Sequence, residues 1–184
     1  MLPLSVLGEN PFYRGQVSVG NNCTALMFAS DGQLDLIRPA QLMYIDSTFH
    51  VVPSLYHQLF TMFVPYADHA FPVLYALMTQ KTTELYQAVF QRLHELAPDF
   101  HPLQVIADFE EAPAAAVRAV FGSDVVISGC WFHYAQALVK RLRKEGLADA
   151  YKNEPDIQKV FRCLLALPLL PAGDILPAFG DVKA

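Results

Sequence analysis

With 184 residues, 53% of them hydrophobic and 17% charged, the chain is about the size of one domain and too apolar to be intrinsically disordered. Its 13 prolines and nine glycines follow no period, which excludes a collagen-like or low-complexity chain. A net charge of -5 gives the chain as a whole no electrostatic reason to bind nucleic acid.

Residues 1–24 hold Pro3, Pro11, Gly15, Gly20, Asn21 and Asn22 and read as an irregular lead-in, with a domain expected over 25–184. Ala25 to Ala29 is a short apolar strand. Ser30-Asp31 then resembles a helix N-cap, with Leu34 and Ile37 on one face and Pro39 as the stop; the rival is a hairpin turning at Asp31-Gly32, and the short helix is favoured. Three closely spaced strands follow, Leu42 to Val52, Gln58 to Pro65 and Phe71 to Thr79. Pro53-Ser54 and Ala67-Asp68-His69 supply the turns. Connections this short imply antiparallel neighbours.

The period then changes from 2 to 3.6. Thr82 to Ala97 places Leu85, Val89, Leu93 and Leu96 along one side of a helix. Leu103 to Ala107 is a buried strand ending at Asp108. Glu110 to Phe121 is an Ala-rich helix with Pro113 in its first turn and Gly122 at its end. Val125 to Ser128 is the last strand. A basic helix runs from about His133 to Gly146, and another amphipathic helix spans Glu154 to Ala166; the final 18 residues hold Pro168, Pro171 and Pro177. Strand–helix–strand–helix–strand order calls for parallel pairing with right-handed crossovers. The expected architecture is α/β: a mixed five-stranded sheet, three antiparallel strands then two parallel ones, with flanking helices.

No membrane span is expected, because the best stretch, Leu59 to Met78, contains Pro65, Asp68, His69 and Pro72, which would put charge near mid-bilayer. Met1 to Gly8 has no basic n-region and is broken by Pro3, unlike a signal peptide. Three cysteines, Cys23, Cys130 and Cys163, leave one over from any pairing, which favours a reducing, intracellular compartment. No glycine-rich loop matches a nucleotide fingerprint, and no nucleophile elbow surrounds Ser128; no nucleotide cofactor is expected. The charge is unevenly spread. Residues 1–135 hold 5 Lys/Arg against 12 Asp/Glu, whereas 136–162 hold 7 against 4. The simplest account of that basic segment is a solvated helix face.

Two acids stand out by position. Asp46 lies inside the strand Tyr44-Ile45-Asp46-Ser47-Thr48-Phe49, and Asp108 ends Val105-Ile106-Ala107. Neither has a Lys or Arg within several residues, and a carboxylate among apolar groups is costly unless paired or metal-bound. In the expected sheet these two strands are neighbours, so the carboxylates would face each other and require a cation; Mg²⁺ or Mn²⁺ suits such hard oxygen ligands. The bland alternative is that each Asp ends its strand or caps the next element. Cys130 and His133, three apart, could bind one metal ion at a turn, but two ligands do not make a zinc site, and a buried Cys beside a hydrogen-bonded His accounts for them equally.

Taken together, Asp46-Ser-Thr-Phe49, Phe71-Pro-Val-Leu-Tyr-Ala-Leu77, Asp108-Phe-Glu110 with Ala112, and Gly129-Cys-Trp-Phe-His133 with Gln136 resemble the catalytic domain of MULE (Mutator-like element) transposases, over roughly residues 25–180. The resemblance implies a ribonuclease H-like fold, Asp46 and Asp108 as the first two acids of a DDE triad, and Cys130 and His133 as the family's Cys-x-x-His element. It also implies Mg²⁺ or Mn²⁺ as cofactor, with zinc as a further candidate at the Cys-His element. DNA would be the partner, self-association a further expectation, and the nucleus the location. Lys140, Arg141, Arg143 and Lys144 become candidate phosphate contacts. The family's third acid, a Glu, lies downstream in a segment beyond Ala184; Glu145 and Glu154 stand in the wrong context for it. The expectation is thus a fragment or domesticated remnant of a DDE transposase, incomplete at its C-terminus and inactive in strand cleavage by itself. The alternative is a non-catalytic DNA- or protein-binding protein that retains the fold.

Overall fold

A computed structural model describes residues 12–49 and 51–183. The strands are β1 (Tyr13–Ser18), β2 (Thr24–Phe28), β3 (Leu42–Thr48), β4 (Gln58–Tyr66), β5 (His69–Met78), β6 (Gln104–Ala107) and β7 (Val126–Gly129). The helices are α1 (Asp31–Ile37), α2 (Thr83–Leu96), α3 (Glu111–Phe121), α4 (Trp131–Lys144), α5 (Ala148–Asn153), α6 (Pro155–Ala166) and α7 (Ala172–Lys183). The chain divides into two compact units, residues 1–128 and 129–184. Among the described residues no helix is long and apolar enough to cross a membrane.

The sheet has seven strands in the order β1-β2-β5-β4-β3-β6-β7, not the five expected. β3, β4 and β5 are antiparallel, and β6 pairs with β3 in parallel. The two extra strands extend the β5 edge, β2 on β5 and β1 on β2, both antiparallel. The lead-in is therefore not irregular throughout: Tyr13–Ser18 is an edge strand, while residues 1–11 lie outside the described residues. Its side chains are half-buried or exposed, so backbone pairing rather than an apolar pattern makes it a strand. A register shift between Tyr13 and Gly15 is accommodated by Gly15 at φ 111°, and the Arg92 guanidinium donates to Arg14 O across it. β3 ends at Thr48 rather than at Val52, because Pro53 and the turn closed by Tyr56 N to Pro53 O break the ladder.

Local chemistry settles the ambiguous first helix. Ser30 Oγ accepts from Gln33 N at 3.2 Å, and Ser30 N donates to Gln33 Oε1 at 2.8 Å, a reciprocal cap that fixes a helix start. Gln33 Nε2 also donates to Pro72 O of β5, tying α1 to the sheet. The β4–β5 hairpin turns through Ala67 and Asp68, both at positive φ (47° and 64°), as a two-residue loop with the strands' twist requires.

Strand alternation divides the sheet's faces. Met27, Met43, Ile45, Phe60, Met62, Leu74, Ala76, Val105 and Ala107 are buried on one face, under Leu34 and Ile37 of α1 and Leu85, Tyr86, Val89, Phe90 and Leu93 of α2. Phe60 meets Tyr86 and Phe90 edge-on at 5.2 and 5.9 Å between centroids, a favoured aromatic geometry. The other face is half-buried and carries Tyr44, Asp46, Leu59, Tyr75 and Leu77. In residues 129–184 the described buried residues are Phe161 and Leu167. There α4 and α6 line a groove with Leu138, Leu142, Ile157 and Leu164, and Trp131 Nε1 and Tyr134 OH donate to Leu165 O and Leu164 O.

Candidate acid-pair site

The site is built where β3 and β6 end side by side. Their parallel register pairs Leu42 with Gln104, Met43 with Val105 and Tyr44 with Ile106. Continued two residues past its last pair, the same register would set Asp46 against Asp108, at the roughly 4.8 Å spacing of neighbouring strands. Both acids are half-buried, as Tyr44 and Ile106 are, whereas Ile45 and Ala107 are buried in the core. Asp46 is the fifth residue of β3 and stands opposite Thr61 of β4. Asp108 is the first residue after β6, and its Oδ1 accepts from Glu110 N at 3.0 Å. That bond closes an Asx turn at the entry to α3 and orients the carboxyl.

A polar network holds the end of β3 from the core side. The buried Tyr86 hydroxyl accepts from Gln58 Nε2 at 2.7 Å and is hydrogen-bonded to Ser47, the residue after Asp46. Burial pushes the Tyr86 phenol up from its ordinary pKa, opposed by the bonds to Gln58 and Ser47 and reinforced by the nearby charges of Glu110 and Asp108.

The residue that sequence reading missed is Lys81. The nearest basic groups in sequence are remote from both acids, yet the loop between β5 and α2 brings Lys81 to Glu110 and Phe49, two and three residues from Asp108 and Asp46 in sequence. Its Nζ lies 2.7 Å from Glu110 Oε1 and 5.7 Å from the centroid of the Phe49 ring. The hydrogen bond and charge of Glu110 raise the Lys81 pKa, and Asp108 contributes to the same shift. The only signal in the sequence is scarcity: Lys81 is one of five Lys/Arg before residue 136, and it immediately precedes the Thr82 cap of α2.

The remaining candidates lie in the second unit. Cys130 is the N-cap residue of α4 and His133 falls in its first turn. Among the described residues no group of three or more His, Cys, Asp or Glu could hold a metal ion. Lys140, Arg141, Arg143 and Lys144 are all exposed on α4. Lys140, Arg143 and Lys144 lie opposite Leu138 and Leu142 at 100° per residue, whereas Arg141 borders the groove and pairs with Glu145 at 2.8 Å.

A family model described as the MULE transposase domain matches residues 42–137, just over half of the chain. A search of curated proteins returns no match. Among solved structures, the Drosophila P element transposase strand transfer complex is similar over 88% of this chain, with a TM-score of 0.37 and 10% identity. The similarity spans 46% of that chain and is too distant to bear on mechanism. The family match runs from the first residue of β3 into α4, so it takes in Asp46, Asp108, Cys130 and His133, and the chain belongs to the MULE transposase domain family.

Proposed function

We propose that Asp46 and Asp108 are the first two acids of a DDE-type transposase site that holds Mg²⁺ or Mn²⁺ and acts on DNA, in a ribonuclease H-like sheet. The observation that carries this reading is the parallel β3–β6 pairing, whose last pair, Tyr44 with Ile106, stands two residues before each acid. The donor chemistry fits: Mg²⁺ is commonly held by one or two carboxylates, with water and substrate phosphate completing its shell. When bound, such ions activate the attacking oxygen and stabilise the leaving oxygen at a phosphodiester.

The chain's own residues supply placement. The Asx turn to Glu110 N fixes the Asp108 carboxyl, and the Ser47–Tyr86–Gln58 network steadies the strand end that carries Asp46. Lys140, Arg143 and Lys144, with Arg141, offer charge to DNA phosphates. Two-metal displacement needs both ions set for in-line attack, and small misplacements cost about 10²-fold in rate. These two acids by themselves are therefore expected to bind metal and DNA without cutting. A second reading, a binding protein that keeps the fold without catalysis, draws on the Asp108 turn, a task that an Asp performs without any metal.

Calorimetric titration of the purified chain with Mn²⁺, alongside Asp46→Asn and Asp108→Asn, tests the proposal. Weak binding that either substitution abolishes is the expected result. Binding unchanged in both variants, or none in the parent chain, overturns the metal site. A plasmid cleavage assay in Mg²⁺ or Mn²⁺ accompanies it; cleavage abolished by both substitutions would mean that a further ligand lies within residues 1–184.

A further inference from the structure

Asp108 and Glu110 stand together just past the end of β6, with Asp46 on the neighbouring strand β3, and a phosphodiester approaching these carboxylates meets like charge. Of the five Lys/Arg before residue 136, Arg14, Arg38 and Arg92 are paired with Asp31, Asp35 and Glu95, and Arg118 lies in the last turn of α3. Lys81 pairs at 2.7 Å with Glu110, whose backbone N–H donates to the Asp108 carboxyl. Its side chain is 47% exposed, so its bond to Glu110 leaves ammonium donors open to solvent. An exposed ion pair of this kind is weak and exchanges readily for a phosphate oxygen. The Phe49 ring and Glu110 keep the ammonium at the site without burying it. A compact charge on a flexible stem suits a phosphate that must be met from one side.

We propose that Lys81 is a phosphate-contacting residue of the acid-pair site, held in reserve by Glu110 and transferred to a DNA phosphodiester when the strand approaches Asp46 and Asp108. The inference rests on the DNA-directed reading above and assigns that site a fixed cation that works without metal.

The experiment measures binding of a fluorescein-labelled 20-bp duplex to the full chain by polarisation, in EDTA, from about 20 to 200 mM KCl. Each phosphate neutralised contributes about 0.9 to the slope of log K against log salt. Lys81→Met should lower that slope by about 0.9 and weaken binding several-fold at low salt, while Lys81→Arg retains the slope. Glu110→Gln, which frees the ammonium and removes a negative charge, should tighten binding without lowering the slope. A purely structural Lys81 would leave the slope unchanged in Lys81→Met even if the melting temperature fell, and that result overturns the inference. A parent chain that binds no duplex at any salt overturns the DNA-directed reading itself, and the inference with it.

Discussion

Helices α2 and α4 are both 14 residues long and both amphipathic, yet they end differently. α2, in the sheet unit, buries Leu85, Tyr86, Val89, Phe90 and Leu93, whereas α4, in the helical unit, has no buried residue. Periodicity determines that a helix forms; a large complementary surface determines whether its stripe leaves water. The sheet supplies that surface to α2, while α4 shares a shallow groove with α6. Charge separates the units too. Residues 1–128 hold 5 Lys/Arg and 12 Asp/Glu, and residues 129–184 hold 8 and 6. The candidate metal ligands Asp46 and Asp108 thus sit in the acidic unit and the basic helix in the other.

The contrast breaks most directly at the core. Phe90→Ala should destabilise the sheet unit by about 3–5 kcal/mol, and Leu138→Ala the helical unit by only about 1 kcal/mol. Urea unfolding followed by far-UV circular dichroism and by emission of Trp131, the single Trp, separates the two. Phe90→Ala is expected to shift the dichroism transition more than the Trp131 transition. Identical shifts in both would show that the units unfold as one.

The next largest effect is at Tyr86. Tyr86→Phe leaves Gln58 Nε2, among the described residues, with the Met78 sulfur at 3.4 Å and should cost about 1–3 kcal/mol. Because burial raises the Tyr86 pKa, the folded chain keeps this phenol protonated at alkaline pH where the unfolded chain releases the proton. Its contribution is therefore full below about pH 10 and is lost as pH rises through the folded value. Unfolding midpoints between pH 8 and 11 should fall more steeply for the parent chain than for Tyr86→Phe.

Smaller effects probe how the sheet unit fixes its local geometry. Ser30→Ala removes the cap of α1 and should cost about 1 kcal/mol, read as a lower denaturation midpoint. At the β4–β5 turn, Ala67→Gly relieves a left-handed alanine and should stabilise by about 0.5 kcal/mol after the entropy of glycine is counted; an unchanged or lower melting temperature would contradict it.

What the sequence determined by itself was local pattern and order. Alternation placed β3, β4 and β5, the change of period placed α2 and α3, and strand–helix–strand order made β6 parallel to β3. Ser30 and Gln33 carried their helix in three residues of spacing. Side chains alone could not reveal β1, because an edge strand with few buried positions is made by backbone pairing to β2. Nor could they show the division at residue 128, since an apolar stripe reads alike whether it meets a sheet or a groove. Lys81 was beyond sequence reading for a related reason: its meeting with Glu110 and Phe49 depends on where the β5–α2 loop crosses the end of the sheet, and only the tertiary structure decided that position.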